Sequence, residues 1–117
     1  MKLQIGTGHI GPHLYLCVIM DIDSRCIIAF RFGKSNSDKL KQSLCADLGI
    51  EVPQSSRIMS SFFSALSAER MLLYRFHDND ERMEAAAEWI DYYNTERLHS
   101  SIGYKTPSKV YEELYGK

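Results

Sequence analysis

A surplus of positive charge is missing from this sequence: 14 lysines and arginines stand against 15 aspartates and glutamates in 117 residues, a net charge of −1 with the histidines neutral. The overall basic footprint of most nucleic-acid binders is therefore absent, and any contact with DNA has to come from a local patch. Long hydrophobic runs are missing as well. The longest, residues 14–20, falls far short of the roughly 20 apolar residues needed to cross a bilayer as a helix, so no membrane is expected and the chain reads as soluble. Cysteine is scarce: Cys17, Cys26 and Cys45 show no C-x-x-C spacing. An odd count without a signal peptide argues for reduced thiols in a cytoplasm and against disulfides or a structural zinc. Three prolines, no internal repeat and no low-complexity linker leave a single domain over residues 1–117 with a modest core. No P-loop, G-x-S-x-G or Cys/His nucleophile pairing occurs.

What is present has a clear order. Residues 3–10 are β-compatible but interrupted by Gly6 and Gly8, and Gly11-Pro12 then signals a turn before residues 13–21. Residues 14–20 are apolar almost without interruption, as a central strand covered on both faces requires. Turn residues 21–25 lead into a third strand over residues 26–32. Residues 1–35 thus read as an antiparallel meander of three strands, and residues 36–117 as helices.

Ser37 can cap a helix over residues 38–48, in which Leu40, Leu44 and Leu48 recur every four residues and Gly49 marks the end. Ser55 or Ser56 can cap a second, with Ile58, Met59, Phe62, Phe63, Leu66 and Leu73 on its core side. Asp78-x-x-Glu81 has the form of a capping box for a third helix reaching about Arg97, with Met83, Ala86, Ala87, Ile90 and Tyr93 buried. Thr106-Pro107 reads as an N-cap followed by proline at the first helical position, starting a terminal helix that packs through Val110 and Leu114.

Residues 92–107 read Y-Y-N-x-x-R-x-H-x-x-x-G-Y-x-T-P. This run resembles the C-terminal signature of insertion-sequence transposases with a retroviral-integrase-like core. Two further stretches are similar to that family in the same order: the L-Y-L-x-V-x-x-D-x-x-S-R-x-I-x-x-F pattern of residues 14–30, and S-F-F-S-A-L-x-x-E over residues 61–69. The resemblance implies an α/β, ribonuclease-H-like integrase core in which three antiparallel strands precede four helices and the parallel half of the sheet is largely missing. That half would survive at most as a short piece near residues 49–52. The chain also starts at the first core strand, so the upstream helix-turn-helix of such transposases is expected to be absent and the protein to be a truncated, internally deleted member.

The family resemblance further implies DNA cutting and joining with two magnesium or manganese ions held by two aspartates and a glutamate. Hard divalent cations prefer oxygen ligands and must bridge the scissile phosphate. None of the three carboxylates has a counterpart. Gly6 stands where the first aspartate belongs, and the S-D-x-G-x-x-Y element of the second has no room in the about 28 residues between Phe32 and Ser61. Ser60 stands at the glutamate position, immediately before S-F-F. Glu69, nine residues on, would point about 180° away around a helix. Asp21 and Asp23 are expected to bond within a hairpin turn, and the acids of residues 78–88 to form a solvated, capping face. A catalytically inactive transposase derivative, with no catalytic residues, metal or cofactor of its own, is the expectation. The alternative is an interaction module that binds DNA or an intact transposase and modulates transposition, and self-association or a homo-oligomer is expected from exposed sheet edges.

Two smaller constellations remain. His9 and His13 flank a turn, and an incidental pairing is preferred over metal binding. Arg97, His99, Lys105 and Lys109, beside Tyr92, Tyr93 and Tyr104, form the only basic cluster among aromatics. In an intact relative these four would touch DNA phosphates. The preferred reading is that Asn94, Arg97 and His99 fix the irregular segment between two helices by hydrogen bonds.

Overall fold

The computed structural model describes residues 1–35 and 38–116. Strands β1 (Leu3–Gly11), β2 (Leu14–Asp21) and β3 (Cys26–Gly33) form one antiparallel sheet in the order β1-β2-β3. The turns fall where the sequence signals them. His13 and Arg25 take the left-handed conformation, with φ of 52° and 65°. A bulge between Ile19 and Met20 leaves Ile28 outside the β2–β3 register.

Helices α1 (Asp38–Leu48), α2 (Arg57–Leu66), α3 (Asn79–Thr95) and α4 (Pro107–Tyr115) follow. The cap assigned to Ser37 lies outside the described residues. Ser56 caps α2 by accepting from the Ile58 amide, and Thr106 caps α4 by accepting from the Lys109 amide with proline at the helix start. Asp78 accepts from the Glu81 amide at 3.0 Å, but Glu81 answers one residue earlier than a capping box would, taking the His77 amide at 2.6 Å.

The unbroken apolar run in β2 is explained by cover on both faces. Leu16, Val18 and Met20 pack against α2 and α3 through Met59, Phe62, Leu66, Trp89 and Ile90, while Cys17 and Ile19 meet Leu40, Leu44 and Cys45 of α1. Each such large side chain contributes about 1.5–3 kcal/mol by leaving water. No strand follows α1 among the described residues. On the free side of β1 the Ile5 amide donates to the Gln54 carbonyl at 3.1 Å.

Three expectations about buried faces need correction. Leu73 is 66% exposed, because the regular period of α2 stops at Leu66 and a π-helical stretch, Ser67–Met71, shifts the phase before the chain leaves the helix. The stripe of α3 is Ala85, Ala86, Trp89, Ile90 and Tyr93, with Met83 and Ala87 only on its flanks, and the helix ends at Thr95. Leu114 is exposed, and α4 is held instead through the buried Pro107 and through Tyr115, whose hydroxyl donates to Asp21 at 3.0 Å.

Asn94 closes the sheet against α3. Its side-chain oxygen accepts from the Ile27 amide at 2.9 Å, and its side-chain nitrogen donates to the Ile27 carbonyl at 3.0 Å. Asn94→Ala should lower the unfolding free energy by about 1–3 kcal/mol, since it removes the protein partner from two main-chain groups. Asn94→Asp should be at least as harmful, because its carboxylate would face the Ile27 carbonyl. Urea titration of both variants checks this, and an unchanged midpoint would show that water replaces the amide.

Candidate functional site

The contact between β1 and α2 is where the integrase-like expectation places two of the three carboxylates. Gly6 is buried. A Cβ built on it would lie 3.0 Å from the Met59 Cβ and 3.2 Å from the Phe63 Cε2. At Gly8 the Phe63 ring is closer still, 2.3 Å from where a Cβ would sit. The two glycines therefore let α2 settle onto the strand, and apolar side chains fill the space. Ser60 is exposed, and it is Met59, almost fully buried, whose side chain faces Gly6. Among the described residues no three His, Cys, Asp or Glu side chains gather closely enough to hold a metal ion. The donors do not fit the two-metal site that the resemblance implies.

The remaining acids have structural partners or face solvent. Asp21, fully buried, accepts from the Ser24 hydroxyl at 2.6 Å, the Ser24 amide at 3.3 Å and the Tyr115 hydroxyl. Desolvation and this bond push the Tyr115 phenol up to about 12. Asp23 is exposed. Glu69 takes two bonds from Arg97, from Nε at 3.2 Å and from Nη2 at 2.6 Å, and these hold its carboxyl below the ordinary range. His9 is exposed and its ring lies 5.0 Å from that of Tyr15; His13 is exposed at the turn.

Of the four basic residues in the C-terminal cluster, two already have anionic partners. Arg97 holds Glu69, and Lys105 holds Glu113 at 3.0 Å. Lys109 is exposed. His99 is woven into the segment: its amide donates to the Lys105 carbonyl at 3.2 Å, its carbonyl accepts from the Tyr104 amide at 2.8 Å, and its ring lies 4.7 Å from that of Tyr93. The expected bonding within the irregular segment is present for the main chain of His99, whereas the side chain of Arg97 reaches out of it to Glu69 and Asn94 is spent on β3.

Arg97 and His99 also line a cleft of about 330 Å³ that sequence reasoning missed. Arg25, from the β2–β3 turn, and Ser61 and Ser101 share its wall, over a floor that includes Phe62 and Tyr93. These residues come from separate elements, and Arg25 sits in its turn with a left-handed backbone, φ 65°. No spacing pattern could have announced it.

Residues 50–107 match the family described as integrase core domain. Over this stretch the chain is similar to the integrase core of insertion-sequence proteins. It is 34% identical over 58 residues to the 31 kDa protein of insertion element IS600 from Shigella sonnei, a stretch that is 49% of this chain and 21% of that protein. The chain thus spans about a fifth of that relative's length. No solved structure matches it. The integrase-core match covers α2, α3 and the signature but not the three-stranded sheet, which precedes residue 50. Among the described residues no helix is long and apolar enough to cross a membrane.

Burial, and then the neighbouring Arg97 and Arg25, push the His99 pKa below its ordinary 6.5, with Glu69 opposing them. The folded protein therefore prefers neutral His99. Its contribution to stability is complete above about pH 6.5 and is lost as pH falls through the lower folded value. Between about pH 7.5 and pH 5.5 the wild type should lose more thermal stability than His99→Gln. Parallel losses would mean that His99 is not the group responsible.

Proposed function

We propose that this integrase-core chain derives from a transposase and carries out no DNA strand transfer of its own. The observation that carries this reading is the packing of Met59 and Phe63 against Gly6, which puts apolar atoms where a metal-binding aspartate would stand. The exposure of Ser60 and the absence of any metal-competent cluster among the described residues support it. DNA integration is then a matter of descent. A nicking and joining assay with supercoiled DNA and magnesium or manganese should give no product. Nor should the Gly6→Asp, Ser60→Glu double variant, because the second aspartate has no surviving position. Metal-dependent joining by either protein would refute the reading.

A second reading, that the chain binds an intact transposase and interferes with it, is favoured by one feature. Leu72, Leu73 and Tyr74 are consecutive and 80%, 66% and 54% exposed, an apolar run of the kind that marks interaction surfaces. Co-purification with a full-length relative, lost on Leu72→Ser with Leu73→Ser, is the outcome that would establish it.

A further inference from the structure

We propose that the cleft between the β2–β3 turn, α2 and the segment after α3 binds a phosphate group. Four donor-bearing residues from separate parts of the chain line it, Arg25, Arg97, Ser61 and Ser101, with His99 beside them. Arg25 spends one guanidinium nitrogen, Nη1, on the Ile22 carbonyl, and Arg97 spends Nε and Nη2 on Glu69. Each guanidinium keeps N–H groups to offer. Neither serine hydroxyl has a hydrogen-bond partner among the described residues, whereas His99 Nε2 is shielded from solvent, so the imidazole lines the wall without offering that nitrogen. Arg25 holds its place through a left-handed backbone, φ 65°, a conformation that a residue with a side chain adopts at a cost.

The donor set selects the ligand class. Two forked guanidinium groups and two hydroxyls supply more bonds than the two oxygens of a carboxylate suit, but they match a tetrahedral oxyanion. The cleft, about 330 Å³, lies at the lower end of the roughly 300–1,000 Å³ of ligand sites, and its Phe62 and Tyr93 floor can accept the organic part of a phosphate ester. The basic cluster expected from the sequence is thereby redrawn: Arg97 and His99 belong to this site with Arg25, whereas Lys105 and Lys109 do not line it. The proposal is independent of strand transfer.

The test is NMR of the His99 ring during titration with inorganic phosphate, with a short single-stranded oligothymidylate, and with chloride at matched ionic strength. Phosphate or oligothymidylate should shift the resonances saturably and chloride should not. Saturation by phosphate alone identifies a free anion as the ligand, and tighter saturation by oligothymidylate identifies a DNA phosphodiester; either supports the site. Arg25→Ala should weaken binding by about tenfold or more, the loss of a charge-assisted hydrogen bond. Ser61→Ala with Ser101→Ala, both at exposed positions, should weaken it without threatening the fold. Lys109→Ala should bind as wild type. No saturable shift with either phosphate source, or equal weakening by Lys109→Ala, would overturn the proposal.

Discussion

Gly6→Asp should abolish cooperative folding or cost more than about 3 kcal/mol of stability. Two effects add. Any Cβ at position 6 meets the Met59 Cβ at 3.0 Å and the Phe63 ring at 3.2 Å, and forcing atoms into a packed core costs about 1–3 kcal/mol. The carboxylate then sits buried among apolar groups without a cation, which costs several kcal/mol more unless it takes up a proton. Gly6→Ala carries the first effect alone, so the difference between the two variants isolates the second. Chemical denaturation of both proteins at neutral pH provides the measurement. A Gly6→Asp variant that unfolds at the wild-type midpoint would mean that α2 can move away from β1, and the space for a metal ligand would then be real.

Phe62→Ala is the second large effect, with an expected loss of about 3–5 kcal/mol. Phe62 is buried at the centre of an aromatic cluster, its ring 5.2 Å from Phe63, 5.5 Å from Trp89 and 5.0 Å from Tyr93, all near edge-to-face. Its removal opens a cavity between α2 and α3 and breaks three ring contacts, each worth about 0.5–1.5 kcal/mol beyond the area buried. Trp89 is the single tryptophan of the chain, so its fluorescence reports on this cluster directly. A loss below about 1 kcal/mol with an unchanged Trp89 emission would mean that the cluster is not the centre of the core.

The legible parts of the molecule are those fixed by local chemistry. The strands follow from the Gly-Pro turn and the Asp-rich turn around an apolar run, and α2 and α4 start where Ser56 and Pro107 place them. Phase was harder to read. A π-helical stretch after Leu66 cannot be seen in a pattern of period 3.6, and so Leu73 was assigned to a face it never reaches. On α3 the stripe turns by about one residue because Trp89 dominates the packing, a choice made by α2 rather than by α3 itself. The glycine at position 6 could be set against a family pattern, whereas the apolar seal over it could not be read from the sequence. Nor could the cleft, whose lining residues meet only after the turn, α2 and the signature have docked.

The bond pair between Asn94 and Ile27 has a consequence beyond holding α3 in place. β3 is a terminal strand, and the rim of such a strand is a template on which a foreign chain can grow. At Ile27 both main-chain groups are taken by a single amide, which imitates one residue of a neighbouring strand and offers nothing to the next. A ladder advancing along β3 from another molecule must stop there or displace it. The asparagine side chain thus leaves Ile27 no free main-chain donor or acceptor with which a foreign strand could pair.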